Sequence, residues 1–222
     1  MTRRIEMFLL DETRKQLFDQ AGRCFDAPTR RWHDAAGPAD LPAGPALSLR
    51  DAARWLQQGP QRLRAPVSVI GPRDGGPAQL AAAERLGEIL AECGFAVACG
   101  GRQGVMEAVC RGVATKGGLS IGLLPEPHIA DANPYVTLPI ATGLGEARNA
   151  IVARAGFCLV AIGDSYGTLS EVALGLQFGR VVFGLCDAAQ IPGMRPCADA
   201  EAAADGVCAV ALGLIEGPAA RA

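Results

Sequence analysis

The sequence predicts an α/β protein with a Rossmann-like, doubly wound parallel sheet and a small N-terminal extension. From residue 65 onward, short and continuously apolar runs alternate with helical patterns, which is typical of parallel strands covered on both faces. Three of these runs end in glycine-containing loops, at Gly71, Gly100 and Gly163. Half of the 222 residues are hydrophobic, which is sufficient for a sizeable core.

The predicted elements of this region follow one another regularly. Strands are predicted at 67–70, 95–99, 120–124, 157–162 and 181–185, with a further short strand at 134–138. Helices are predicted at 79–93, from 105 to the glycine pair 117–118, and at 147–154, 168–178 and within 198–212. Because the carboxyl ends of parallel strands meet at one edge of the sheet, the three glycine loops are expected to form one binding face.

The N-terminal part differs in composition. We assign residues 1–64 to an extension or small lobe and residues 65–222 to a Rossmann-like nucleotide-binding domain. The first segment contains both tryptophans, Trp32 and Trp55, and no motif that indicates chemistry. Both tryptophans are therefore expected to lie outside the binding crevice.

Local patterns predict a few elements in this extension. Short strands are predicted at 4–10 and 29–33. The pattern Ser48-Leu-Arg-Asp51 is typical of a capped helix start, and the helix is expected to continue to Gln58.

Charge and hydropathy argue against two classes of partner. The net charge is −2 and no basic stripe is present, so a nucleic-acid partner is not expected. The longest apolar runs, such as 156–162, are far shorter than the roughly 20 residues that span a bilayer. Arg3 and Arg4 are followed by Glu6 and Asp11, which does not resemble a signal peptide. We therefore expect a cytoplasmic protein that binds no membrane.

The cysteines and histidines do not predict a metal site. None of the eight cysteines forms a Cys-x-x-Cys pair, and six lie singly in apolar stretches: Cys93, Cys99, Cys110, Cys158, Cys186 and Cys208. This usage favours small buried side chains in a reducing compartment over disulfides or metal ligands. The two histidines, His33 and His128, have unrelated contexts, so no bound metal is expected.

The most informative motif is Gly163-Asp-Ser-Tyr-Gly-Thr-Leu-Ser-Glu171, between a predicted strand and a predicted helix. Glycines allow the backbone to approach an anion, and free N–H groups at a helix start can bind it. The candidate ligand-binding residues are Gly163, Asp164, Ser165, Tyr166, Gly167 and Thr168. The structural alternative is a tight turn in which Thr168-x-x-Glu171 is a capping box and Glu171 bonds the N-cap amide.

A second glycine-rich motif, Gly100-Gly-Arg-Gln-Gly-Val-Met106, also lies between a strand and a helix. Adjacent glycines fit a close backbone approach to a ligand, although a simple turn would explain them as well. The candidate ligand-binding residues here are Gly100, Gly101, Gly104 and Met106, together with Gly71 from the preceding strand end.

A third motif, Thr142-Gly-Leu-Gly-Glu-Ala-Arg-Asn149, places a carboxylate and a guanidinium near a helix start. Glu146, Arg148 and Asn149 are candidate site residues, because arginine binds phosphate in a bidentate manner. The structural alternative is a solvent-exposed salt bridge.

In combination, these motifs resemble the Lonely Guy-like Rossmann superfamily. The resemblance also includes Gly122-Leu-Leu-Pro125 and Ala132-Asn-Pro-Tyr-Val136, and it covers about residues 66–186. The subgroup with the greatest similarity consists of bacterial nucleotide-binding proteins that are similar to molybdenum cofactor carrier proteins.

The resemblance implies two different functions. In the enzymes, a phosphoribohydrolase cleaves the N-glycosidic bond of a nucleoside 5′-monophosphate without a cofactor, and Arg148 and Glu171 match the catalytic arginine and glutamate. In the carrier proteins, similar loops hold a phosphorylated, molybdopterin-type pterin without reaction. Both groups keep Gly-Thr-x-x-Glu, so Glu171 does not decide between a bound nucleotide and a bound pterin.

One departure from the enzymes concerns Asp164. They carry Pro-Gly-Gly where this chain has Gly163-Asp164-Ser165. An aspartate about 4 Å from a phosphate would add a repulsion of about 1–4 kcal/mol. Either Asp164 points away, or it binds a sugar hydroxyl, or the ligand is not an ordinary nucleoside monophosphate.

Members of the superfamily have been called lysine decarboxylases, but the lysines argue against that activity here. A pyridoxal-phosphate enzyme needs a Schiff-base lysine, and the two lysines, Lys15 and Lys116, are not in site-like loops.

Family resemblance and the apolar run Val172–Leu176 predict a homodimer or homotetramer. A third functional hypothesis is a ligand-sensing module that acts through a partner, which the unassigned N-terminal extension suggests.

Overall fold

A computed structural model describes residues 7–35, 41–59 and 65–217. Within these residues the strands are β1 Phe8–Asp11, β2 Gln16–Phe18, β3 Arg23–Asp26, β4 Arg31–Asp34, β5 Ala46–Leu47, β6 Val67–Ile70, β7 Val97–Cys99, β8 Ser120–Leu124, β9 Leu138–Ala141, β10 Cys158–Ile162, β11 Val181–Leu185 and β12 Met194–Pro196. The helices are α1 Leu49–Gln58, α2 Pro77–Glu92, α3 Val105–Thr115, α4 Asn149–Ala155, α5 Tyr166–Gln177 and α6 Ala200–Ala211, with short 3₁₀ turns at Ile129–Asp131 and Gly145–Arg148.

The C-terminal part is built on a seven-stranded sheet with the order β12-β11-β10-β6-β7-β8-β9. Every neighbouring pair is parallel, so the predicted parallel sheet and the Rossmann-like fold are confirmed. The chain moves outward from β6 to β9 and then returns to β10 on the other side of β6. This reversal of strand order opens a crevice at the carboxyl ends of β6 and β10, where ligands of such sheets bind.

Helices cover both faces of this sheet. Side chains of α2, α3 and α6 pack on one face in the larger apolar cluster. Side chains of α4 and α5 pack on the other face, around Ile70, Leu159 and Val182. The central strands are therefore buried on both sides, as their continuous apolar runs predicted.

The bounds of several predicted elements differ in the structure. The strand predicted at 95–99 is Val97–Cys99, and the helices predicted from 147 and 168 begin at Asn149 and Tyr166. The strand predicted at 134–138 lies at Leu138–Ala141, because the Asn133 side chain accepts the Tyr135 amide at 3.1 Å and holds the preceding residues in a turn. The helix predicted from 79 begins at Pro77, since proline is favoured at the first helical position. The edge strand β12 was not predicted.

The N-terminal part contains an antiparallel sheet with the order β4-β3-β2-β1-β5. The predicted strand at 4–10 corresponds to β1 at Phe8–Asp11, and residues 4–6 lie outside the described residues. The strand predicted at 29–33 lies at Arg31–Asp34, because a turn anchored by the Asp26 carboxylate occupies the preceding residues. Helix α1 begins and ends as predicted, with the Ser48 hydroxyl accepting the Asp51 amide.

This sheet shares an apolar core with the parallel region. Phe8 and Ala52 belong to the same buried cluster as residues of α2 and α6. Trp32 stacks on Phe8, with ring centroids 5.6 Å apart, and its indole N–H donates to the Leu212 carbonyl at 2.8 Å. The boundary predicted between residues 64 and 65 stays a prediction, since residues 60–64 lie outside the described residues.

The cysteines are unpaired in the structure. Five of the six predicted as buried are buried: Cys93, Cys99, Cys110, Cys158 and Cys208. Cys186 is partly exposed, because the chain turns at this residue with φ of 52° immediately after β11.

The apolar run of α5 packs largely on its own sheet. Val172 and Gly175 are buried, and Leu174 and Leu176 contact the same apolar cluster. The run is therefore explained without a partner. Within the described residues, no helix combines the length and the apolar character needed to cross a membrane.

Candidate functional site

A crevice of about 500 Å³ lies at the carboxyl edge of the parallel sheet, at the reversal of strand order. Four segments surround it: the loop after β6, the region from Gly100 to the start of α3, the turn at Gly145–Arg148, and the first turns of α5. A volume of this size is typical of sites for small molecules.

Most of the residues predicted from the glycine-rich motifs line this crevice. The structure brings together Gly71, Gly100, Met106, Glu146, Arg148, Asn149, Ser165, Tyr166, Gly167, Thr168 and Glu171. Sequence reasoning missed Ile70, Pro72, Arg73, Asp74 and Ser170, which also line it. The position of the loop directly after Gly71 could have indicated residues 72–74, because loops after parallel strands lie at this edge.

Three predicted glycines do not line the crevice. Gly101, Gly104 and Gly163 have φ values of 73°, 71° and 70°, a region that favours glycine. A Cβ atom on Gly104 would lie 2.3 Å from the Arg73 carbonyl oxygen, and one on Gly163 would lie 2.4 Å from the Gln79 side chain. Gly101 packs against the backbone of β8 in the same way. These glycines permit the close packing of the loops that form the crevice.

Asp164 also lies outside the crevice lining, and its side chain is exposed. Of the three expectations for this residue, the structure agrees with the one in which Asp164 points away. The carboxylate then does not repel an anion in the crevice at close range.

The start of α5 provides polar groups for an anion. Ser165 is the N-cap residue, and its hydroxyl accepts the Thr168 amide at 3.1 Å. The amides of Tyr166 and Gly167 follow at the first helical positions, where N–H groups have no intrahelical partner. The positive end of the helix dipole adds to the attraction of a negative charge.

The alternative in which Thr168-x-x-Glu171 is a capping box is wrong. Because Ser165 caps the helix, Glu171 lies in the second turn of α5 rather than at its third position. Its carboxyl group points toward Arg148 and does not bond the N-cap amide.

Arg148 and Glu171 form a buried pair within the crevice. The Arg148 Nη1 atom lies 3.2 Å from the Glu171 Oε1 atom, and the residues are only 5% and 6% exposed. The alternative of a solvent-exposed salt bridge is therefore wrong for Arg148. Glu146 instead faces Arg73 across the crevice mouth at 3.8 Å, and this pair is exposed.

Gly100 provides the space for this guanidinium. A Cβ atom at Gly100 would lie 2.5 Å from the Arg148 Nη2 atom and 2.7 Å from the Met106 sulfur. The absence of a side chain thus allows Arg148 to lie against the end of β7. The Arg148 Nε atom is buried and has no acceptor among the described residues.

The electrostatic environment favours the neutral form of Glu171. Burial raises the pKa of its carboxyl group to about 8, the Glu146 carboxylate adds to this increase, and the positive charge of Arg148 opposes it. The raised pKa favours protonation of Glu171, which would leave the positive charge of Arg148 available for an anion.

The described parts of the chain contain no group of three or more His, Cys, Asp or Glu residues placed to hold a metal ion. The polar groups of the crevice are instead suited to an anion, with Arg148 and the first amides of α5 as donors.

Comparison with known proteins identifies the family. The sequence profile of the SLOG cluster4 family matches residues 64–205, more than half of the chain. The chain belongs to the SLOG cluster4 family. The predicted resemblance to the Lonely Guy-like superfamily is confirmed, and the matched region contains every segment of the crevice.

Several relatives of this SLOG cluster4 protein are similar over most of their own length. An uncharacterized protein of Archaeoglobus fulgidus is 38% identical over 129 residues, which cover 58% of this chain and 85% of the relative. The solved structure of the molybdenum cofactor binding protein from the phototrophic bacterium Rippkaea orientalis matches this chain with a TM-score of 0.63 and 31% sequence identity. The match covers 67% of this chain and 98% of the Rippkaea chain. The solved structure of the molybdenum cofactor carrier protein of Chlamydomonas reinhardtii matches with a TM-score of 0.58 and 34% sequence identity. The match covers 64% of this chain and 96% of the carrier protein.

Proposed function

We propose that this protein binds a phosphorylated pterin of the molybdopterin type in the crevice and carries it without chemical change. The observation that carries the proposal is the buried Arg148–Glu171 pair, in which a cation lies beside a carboxyl group whose pKa is raised by burial. Such a pair attracts an anionic ligand. Support also comes from the two structural relatives whose names describe cofactor binding or carrying, since both are covered almost completely by the part of the chain that forms the crevice.

The polar groups of the crevice fit the two parts of such a ligand. A phosphate is suited to the start of α5, where amides without helical partners and the hydroxyls of Ser165 and Thr168 are close together. A pterin ring carries donors and acceptors along its edge. Asn149 and Ser170, which bond each other at 3.0 Å and line the crevice, are suited to bind such an edge.

A phosphoribohydrolase acting on nucleoside 5′-monophosphates is the second candidate. It is favoured by the proximity of Arg148 and Glu171, which match the catalytic residues of the Lonely Guy enzymes. A cationic, oxocarbenium-like transition state needs a carboxylate anion, however. Burial raises the pKa of Glu171 and so disfavours this form, and the relatives named for cofactor binding or carrying add support, so carriage is the better supported function.

The two functions are distinguished by what the purified protein holds and releases. Anaerobically purified protein is oxidised, and the pterin it releases is quantified by fluorescence, with about one pterin per chain expected. Arg148→Ala is expected to lower this amount at least tenfold, because the anion loses its buried charged donor. Glu107→Gln, which removes a carboxylate of α3 outside the crevice lining, serves as the matched control and should retain the pterin.

In parallel, the protein is incubated with purine nucleoside 5′-monophosphates, and free base is measured by chromatography. Carriage predicts no release of base. Release that Glu171→Gln abolishes would contradict carriage and favour the hydrolase.

We also propose a cytoplasmic homodimer or homotetramer. Ile151 of α4 and Leu169 of α5 are exposed apolar side chains on the helices that cover one face of the sheet. Sedimentation at micromolar concentration tests the assembly, and a single species of 22.9 kDa, the mass of one chain, would contradict it.

A further inference from the structure

We infer that Glu171 contacts the ligand as a neutral, hydrogen-bond-donating carboxyl group, so that an anion binds beside Arg148 together with a proton held on Glu171. This inference rests on the proposed function, because it concerns how the same crevice holds an anionic ligand. It assigns to Glu171 a binding role that differs from that of a catalytic carboxylate.

The geometry provides one buried cation in the crevice lining for both Glu171 and a ligand anion. Arg148 is the buried guanidinium of the crevice, and within the described residues its Nη1 atom donates a hydrogen bond to Glu171. Its Nε atom is buried without an acceptor. A ligand anion that approaches this guanidinium therefore meets a carboxyl group already in contact with it.

The other charged groups around Glu171 do not relieve this competition. Glu146, on the same turn as Arg148, adds negative charge. The loop after β6 contributes Arg73 and Asp74, and Arg73 is partly exposed and lies 3.8 Å from Glu146. The lining residues at the end of β7 and the start of α3, Gly100 and Met106, are uncharged. Helix α5 itself has Glu171 as its one charged residue.

Protonation of Glu171 resolves the competition in two ways. It removes the repulsion between the carboxylate and the ligand anion, and it provides an O–H group that can donate to a ligand oxygen. In the ligand-free protein, burial already raises the pKa of this carboxyl group to about 8. An anion bound nearby raises the pKa further, so binding above pH 8 takes up a proton from the solvent.

This linkage has a defined pH dependence. Below about pH 7, Glu171 is protonated in both the free and the bound protein, so its titration does not change affinity. Above pH 8, the free protein loses the proton that the complex keeps, and affinity falls by up to about tenfold per pH unit. The second ionisation of a phosphate monoester, with a pKa of about 6, is complete before this range begins.

The experiment is isothermal titration calorimetry between pH 7 and 9.5 with two probes, an air-stable oxidised pterin phosphate and AMP. Repeating each titration in buffers of different ionisation enthalpy gives the number of protons taken up. For the wild type, we expect up to tenfold weaker binding at pH 9 than at pH 8 and uptake that approaches one proton. Glu171→Gln should bind at pH 7 with nearly constant affinity up to pH 9.5, because the amide keeps a donor. Glu107→Gln should keep the wild-type profile.

The possible results separate this inference from the proposed function. Equal pH profiles for the wild type and Glu171→Gln would overturn the inference alone. Loss of binding by Glu171→Gln at pH 7, with an unchanged circular dichroism spectrum, would also overturn it, because the carboxylate charge would then be needed. Absence of binding by both probes at every pH would overturn the inference and the proposed function together.

A second test, an NMR titration of Glu171, uses only the wild-type protein. The ¹³C signal of the Glu171 carboxyl carbon reports its titration directly. We expect the titration midpoint to increase by at least one pH unit when the pterin phosphate is bound. A midpoint that stays unchanged or decreases on binding would contradict proton uptake at Glu171.

Discussion

The two sheets of this protein differ in how completely their strands are buried. Strand β1 of the antiparallel sheet alternates between buried and partly exposed positions, and β3 has a buried position only at Phe25, whereas β6, β10 and β11 of the parallel sheet are buried at every position. In the parallel sheet, the polar residues that line the crevice therefore lie beyond the strand ends. The comparison indicates that the antiparallel sheet contributes stability through the shared core, while the parallel sheet positions the site.

Contacts between the two regions support this division. Arg50 of α1 pairs with Asp205 of α6 at 2.6 Å, and Arg54 of α1 donates to the Glu92 carbonyl at the end of α2. All these contacts lie on the side of the parallel region formed by α2 and α6. Neither Trp32 nor Trp55 lines the crevice, as predicted from the sequence.

The largest expected effect tests the shared core. Phe8→Ala should lower the free energy of unfolding by about 3–5 kcal/mol, because Phe8 is completely buried among residues of both regions. Ligand affinity of the folded variant should be unchanged, and urea denaturation should show one transition. The neighbouring Met7→Ala, at a residue 45% exposed, is the control and should change stability by less than about 0.5 kcal/mol. Two separate transitions, with the parallel region at wild-type stability, would show that the regions do not share a core.

The second prediction concerns the pH dependence that Glu171 gives to the parallel region. Its folded-state pKa of about 8 lies above the usual carboxyl value, so the folded protein keeps a proton that the unfolded chain releases. The stability that this proton provides is fully present below about pH 4.5 and is lost as the pH rises through 8. Relative to Glu171→Gln, the wild type should lose up to about 1.4 kcal/mol per pH unit within this window. Chemical denaturation at several pH values measures the difference, and parallel curves would contradict the raised pKa.

A third prediction uses the contact between Gly100 and Arg148. Gly100→Ala places a methyl group 2.5 Å from the Arg148 Nη2 atom, so the guanidinium must move. We expect a loss of about 1–3 kcal/mol of stability and at least tenfold weaker ligand binding. Denaturation and calorimetry with the pterin phosphate measure the two effects. Unchanged affinity would show that the position of this guanidinium does not matter for the ligand.

The smallest effect on stability is expected for Gly167→Ala. The added methyl group meets no protein atom closer than 3.8 Å and projects from a helical residue that lines the crevice. Stability should stay constant or increase by up to about 1 kcal/mol, because alanine favours the helix, while ligand affinity should fall about tenfold. Gly76→Ala is the matched control, since its methyl group also enters open space but lies outside the crevice lining. Equal affinity of the two variants would exclude ligand contact at Gly167.

The site was only partly predictable for a physical reason. Glycine spacing indicated which loops meet at the carboxyl edge, because that follows from parallel strand geometry. It could not separate Gly100, which makes room for Arg148, from Gly101 and Gly104, which adopt positive φ angles to pack loops together. Both roles select glycine, and only the surrounding atoms distinguish them.

The sequence by itself determined the parallel sheet, its helices and the edge at which the crevice lies, because buried strands need continuous apolar runs and helices need periodic ones. The tertiary structure alone decided what depends on residues distant in the chain. It decided that Ser165 rather than Thr168 caps α5, and that Glu171 consequently faces Arg148, 23 residues earlier. Burial of that pair then determines the protonation of Glu171, since the environment that shifts a pKa is formed by atoms from several elements and not by local sequence.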